Sequence, residues 1–130
     1  MKTDKVLLFL VLLLLFTVTS WIVSCTHTAD LSGLPAVCFD RDVLPVILNS
    51  CAKSGCHDGG GESGLVLNTY SNIMNGVVPG APNSSSVYKS IVITTGENKM
   101  PPDQPLSTDN RILIRIWIEQ GAVQIPCPGK

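Results

Sequence analysis

Residues 25–130 carry only four aromatic side chains, Phe39, Tyr70, Tyr88 and Trp117. A domain of about 100 residues buries a smaller share of its surface than a large one. With so few bulky groups, something other than its own side chains has to help fill its interior. A bound prosthetic group would serve, and so would covalent staples. The same stretch holds five cysteines, at positions 25, 38, 51, 56 and 127, so the distribution of these thiols is the next thing to read.

The aromatic count starts at residue 25 because the chain before it has a different character. Lys2 and Lys5 give a short positive region, and Val6 to Val18 is apolar throughout except for Thr17. That length suits the central region of a secretory signal peptide better than a bilayer-spanning helix, which needs about 20 apolar residues. Ile22-Val23-Ser24-Cys25 follows and resembles the lipobox of bacterial lipoproteins. In that reading residues 1–24 are a signal peptide, Cys25 is diacylated, and acyl chains buried at about 0.8 kcal/mol per CH₂ hold the domain at a membrane. The alternative is an uncleaved anchor reaching Val23. Both place the domain outside the cytoplasm, in the cell envelope. Residues 25–37 include THTADLSGLPAV, with Gly33 and Pro35, and read as a lipidated linker to a domain over 38–130. Without the leader's Lys2, Lys5 and Asp4, seven basic and nine acidic side chains remain. A net charge of about −2 excludes the basic stripe that nucleic-acid binding requires.

With Cys25 assigned to lipid, four cysteines remain in a compartment that favours disulfides. Cys51-Ala-Lys-Ser-Gly-Cys56-His57 sets two of them apart. A histidine directly after the second cysteine marks c-type haem attachment, usually written C-x-x-C-H. Two thiols form thioethers to the vinyl groups on one edge of the porphyrin, and the following imidazole reaches the iron from the proximal side. Here the spacer is four residues, and Ser54-Gly55 is flexible enough for the extra length to bulge outward. A zinc site would need about two further Cys or His ligands. The other reading is a plain Cys51–Cys56 disulfide. Cys38 and Cys127 would close a loop of about 90 residues if the terminal segments pack together, worth up to roughly 4 kcal/mol in the loop-entropy model.

Helix signals recur along the domain. Asp40 or Asp42 can cap a helix in which Val43, Leu44, Ile47 and Leu48 form a stripe ending at Cys51. Pro45 confines the start of that helix to its first turn. Thr69 to Asn75 reads as a short helix stopped by Gly76, and Ser84 or Ser85 can cap another over 87–92. The last helix has Thr108 as its N-cap candidate, Asp109 complementing its N-terminus and Gly121 just past its end, with Leu113, Ile116, Trp117 and Gln120 on one face and Ile112 beside them. A strand is the rival there, because Ile112, Ile114, Ile116 and Ile118 alternate; length and end signals favour helix.

An electron-transfer haem needs a second axial ligand, and Met74, Met100 and His27 are the candidates. Met100 lies in Lys99-Met100-Pro101-Pro102, 43 residues after His57, in a polar loop that offers a methionine no packing role. Flanking prolines lower the entropy lost when its sulfur is held in place. Met74, beside Ile73, reads as core filler.

The chain resembles c-type cytochromes, in particular the small cytochrome c domains of bacterial envelope lipoproteins. The resemblance runs over residues 38 to 124. It is carried by Asp42-Val43-Leu44-Pro45, Cys51…Cys56-His57, Gly64-Leu65-Val66-Leu67, Met100-Pro101-Pro102 and Trp117-Ile118-Glu119-Gln120-Gly121-Ala122. It implies an all-α domain built around one covalent haem c, with the first and last helices packed together. Thioethers would form at Cys51 and Cys56, with His57 and Met100 as axial ligands. The expected function is electron transfer to or from a redox protein of a Gram-negative-type envelope, at the periplasmic face or outer membrane. No hydrolytic or acid–base constellation is visible, so no enzymatic activity is expected. The alternative from another class is a lipid-anchored, disulfide-stapled binding module without haem.

Overall fold

Every regular element among the described residues is helical, as the sequence predicts. The computed structural model describes residues 5–13, 30–61, 64–93 and 95–127. Cys25 and His27 lie outside the described residues, as does the lipobox. Residues 5–13 form helix α1, whose apolar side chains from Val6 to Leu13 are exposed. No helix among the described residues is long and apolar enough to cross a membrane.

The domain proper begins with a π-helical turn, Phe39–Val43, that runs directly into α2, Leu44–Ser50. Pro45 accounts for this start. It has no N–H to donate to the preceding turn, and the chain there winds wider, with the Leu44 N–H reaching back five residues to the Phe39 carbonyl. No side chain caps the turn from its leading position, Cys38. Instead the Asp42 carboxylate reaches back to accept the Cys38 N–H at 3.0 Å. Arg41 grips the same carboxylate through two nitrogens at 2.7 and 2.8 Å and holds its pKa below the ordinary value. Val43 and Ile47 are buried while Leu48 is exposed, so the buried stripe is narrower than its apolar residues suggest.

Helix α3, Tyr70–Met74, starts where Thr69 Oγ1 accepts the Asn72 N–H. Met74 packs against the core, as filler. Gly76 is a point of close approach. Its carbonyl accepts from Val87 N–H at 3.1 Å and Ser86 Oγ at 3.2 Å, and a Cβ there would lie 2.7 Å from Val87 Cγ2. A short 3₁₀ turn, Pro82–Ser84, leads to α4, Ser86–Val92. Ser85 does stand at the N-cap of α4, but its side chain does not cap the helix. It is fully buried, accepts the Val78 N–H at 2.9 Å and donates to the Ala81 carbonyl at 3.0 Å, tying down the loop before α4.

Helix α5, Thr108–Glu119, is capped by Ser107 Oγ accepting the Asn110 N–H; Thr108, read as the cap from sequence, is the first helical residue. Its buried face is Ile114, Trp117 and Ile118, with Leu113 and Ile116 partly buried and Ile112 exposed. The helix therefore settles the alternating-isoleucine ambiguity with a face turned from the one expected. It ends in a Schellman motif: Ala122 N–H bonds to Trp117 O and Gly121 N–H to Ile118 O, with Gly121 at φ 96°.

The two ends of the domain meet at Phe39. Its ring stands 5.1 Å from Tyr70, edge-on, and 5.3 Å from Trp117. Tyr70 Oη and Trp117 Nε1 donate to the carbonyls of Ala122 and Val123 just past α5. Gln120 clasps the incoming segment, accepting from Val37 N–H and donating to Pro35 O. A Cys38–Cys127 disulfide joins the same ends, with Cα atoms 5.5 Å apart across 89 residues of sequence. Removing Ser85 Oγ takes away the acceptor of the Val78 N–H and one of two donors to the Ala81 carbonyl, which also accepts from Ser84 N–H. Ser85→Ala should therefore cost about 1 kcal/mol, the net worth of an ordinary hydrogen bond, read as a lower urea midpoint at unchanged slope. An unchanged midpoint would show that water or another group replaces the hydroxyl.

Candidate functional site

Cys51 terminates α2, its N–H donating to Ile47 O at 2.8 Å, and its side chain is buried in the core. The chain then turns through Lys53 to Cys56, closed by Cys56 N–H to Lys53 O at 2.9 Å, with Gly55 at φ 78°. His57 N–H returns to Cys51 O at 3.3 Å. That bond folds the four spacer residues into an outward loop and brings His57 back beside the first cysteine. Cys51 and Cys56 are thiols, not bridged to one another.

The His57 ring is oriented by the backbone. Its Nδ1 lies 2.8 Å from the Leu65 carbonyl oxygen. A carbonyl only accepts, so Nδ1 is the donor, and in the neutral ring the lone pair then lies on Nε2. Metal-ligating imidazoles are commonly oriented by a carbonyl partner of this kind. The segment carrying Leu65 is itself fastened, since Leu67 N–H donates to His57 O at 2.8 Å.

These residues line a cavity of about 330 Å³, within the range of small-molecule and cofactor sites. Cys51, Cys56 and His57 line it together with Leu65 and Leu67. Val87 and Ile91 of α4 contribute further apolar wall. Met100, Pro101 and Pro102 also line it, and Met100 N–H to Ser90 O at 3.0 Å fixes that loop to α4. The structure thus gathers Cys51, Cys56, His57 and Met100 around one space and leaves Met74 out of it. Among the described residues no three His, Cys, Asp or Glu side chains cluster as a site for a bare ion. Two thiols, an imidazole held by its Nδ1 and a thioether sulfur around apolar side chains fit a haem.

Residues 54–104 match the family model described as Planctomycete cytochrome C. The match covers less than half of the chain. It takes in Cys56-His57 and Met100-Pro101-Pro102, two of the segments that line the cavity. Comparisons with curated proteins and with solved structures found no match. The family match supports a cytochrome c-like domain.

Sequence reasoning missed the α4 wall and the Leu65 carbonyl. The α4 helix is legible from its cap and apolar residues, but nothing in it shows that Val87 and Ile91 line the same cavity as His57. The Leu65 contact uses a backbone oxygen, which carries no residue-type signal. Burial pushes the Cys51 thiol up to about 11, with the neighbouring Cys56 adding to the shift and Lys53 opposing it. In protein produced without attached haem, Cys51 should therefore alkylate slowly at neutral pH and faster as pH rises towards 11. A rate that levels off near the ordinary thiol value of 9.0 would contradict the burial.

Proposed function

We propose that the chain is a mono-haem c-type electron-transfer protein, held at an envelope membrane by lipid on Cys25. The observation that carries the reading is the convergence of Cys51, Cys56, His57 and Met100 on one apolar cavity from segments 43 residues apart. When bound, the haem would supply an iron that cycles between ferric and ferrous states, moving one electron at a time.

The chain's own residues have separable tasks. Cys51 and Cys56 would hold the cofactor by thioethers, making it a permanent part of the fold. His57 would ligate the iron through Nε2, with the Leu65 carbonyl holding the ring by Nδ1. Met100 would provide the second axial ligand; thioether ligation favours the reduced iron more than a second histidine would. Leu65, Leu67, Val87 and Ile91 give the cavity an apolar lining. A low-dielectric surround of this kind disfavours the extra charge of ferric haem and acts in the same direction on the potential. The redox partner is a second protein of the envelope, and a Gram-negative-type periplasm or outer membrane is the setting that the lipobox and the attachment motif support together.

Co-expression with a cytochrome c maturation system should yield red protein with a sharp Soret band and a haem stain that survives SDS. Met100→Ala should keep the stain but lose the sulfur-to-iron charge-transfer band of the oxidised spectrum. An unchanged band would reassign the second ligand. Colourless wild-type protein under those conditions would favour a haem-free binding module.

A further inference from the structure

The loop after His57 contains three consecutive glycines, and they are not equivalent. A Cβ on Gly60 would meet only the Asp58 carboxylate, at 3.7 Å, an ordinary contact. A Cβ on Gly61 would stand 2.6 Å from the Gly55 carbonyl oxygen and 2.8 Å from its carbon, and would run into the Cys56 carbonyl oxygen as well. All three atoms are backbone, so no side chain can swing aside. Gly61 therefore lies flat against the peptide that carries the second thiol of the site.

The loop that leads to Gly61 is fastened at its start. Asn68 Nδ2 donates to Asp58 O at 3.0 Å, Asp58 Oδ1 accepts the Gly60 N–H at 3.0 Å, and His57 O is held by Leu67 N–H. The Gly55–Cys56 peptide opposite has a local turn bond to Lys53 and a glycine at positive φ as its hinge. A Cβ on Gly61 would force these two backbone segments apart, and the peptide that it would strike is the one that places the Cys56 thiol.

We propose that Gly61 is a positioning residue for Cys56: without a Cβ it lets the 58–61 loop back the four-residue spacer and sets where the second thiol stands relative to Cys51. The inference rests on the haem reading of the site. Each thioether forms by adding a thiol S–H across a vinyl double bond. The S–C bond and a new C–H bond replace the S–H bond and the π bond, so no outside oxidant or reductant is consumed. A displaced Cys56 would leave one vinyl unreacted while Cys51 still attached.

Wild type, Gly61→Ala and Gly60→Ala should be matured in parallel. The readouts are the pyridine haemochrome α band, thiol alkylation mapped by mass spectrometry, and far-UV circular dichroism. Gly61→Ala should bind haem through Cys51 alone in most molecules. Its α band should move to the red, because the surviving vinyl stays conjugated with the ring, and Cys56 should become alkylatable. Gly60→Ala should match wild type in every readout. Haem-loaded wild type with an indistinguishable Gly61→Ala overturns this inference alone. Loss of helical signal in Gly61→Ala also overturns it, since the role would then be general to the fold. Colourless wild type overturns the haem reading and this inference with it.

Discussion

Phe39 holds the domain together. Its ring lies between Tyr70 and Trp117, so one side chain from the first helical turn engages both the middle of the chain and its last helix. Three of the four aromatic residues in the domain are used in this one contact, and the polar tips of Tyr70 and Trp117 fasten the turn that follows α5. Gln120 and the Cys38–Cys127 disulfide close the same junction. Apart from Tyr88, the rest of the interior is built from smaller side chains, and the cavity opens beside Cys51, Leu67, Val87 and Ile91 of the same core.

The cavity's chemistry follows from a few backbone bonds. His57 N–H to Cys51 O folds the spacer, Leu67 N–H to His57 O brings in the segment of Leu65 and Leu67, and Met100 N–H to Ser90 O brings the methionine loop against α4. The first and third bonds bring His57 and Met100 toward the same space, and the second brings apolar side chains. The Leu65 carbonyl then holds the His57 ring by its Nδ1. Burial of Cys51 and exposure of Cys56 give the two thiols unlike surroundings within one motif. Their placement therefore depends on different parts of the fold, Cys51 on α2 and Cys56 on the loop behind it.

Much of this is legible in the sequence, and the portion that is not has physical reasons. Cys51, Cys56, His57 and Met100 stand out because their atoms have few structural uses at those spacings. The helices are legible from caps and periodicity, yet their details shift. Ser107 caps α5 in place of Thr108, since either hydroxyl could accept the same kind of bond. Ser85 occupies the cap position of α4 but spends its hydroxyl on the preceding loop. The π turn at Phe39–Val43 is the answer to Pro45, which sequence alone reads only as a limit on where the helix starts. The apolar positions of α5 could be placed on more than one face, and the one chosen is fixed by Phe39, far away in sequence. Backbone acceptors such as Leu65 O, and close approaches such as those at Gly61 and Gly76, become visible only once the chain is folded.

The proposed electron-transfer role requires the porphyrin to be covalently part of this chain. Intact-mass measurement of the matured protein, denatured and unreduced, reads that directly. The expected mass is that of the chain from residue 25 with its acyl groups, one haem and one disulfide, and fragmentation should place the haem on the peptide spanning residues 51–57. A mass with no tetrapyrrole, and a bridge between Cys51 and Cys56, would contradict it.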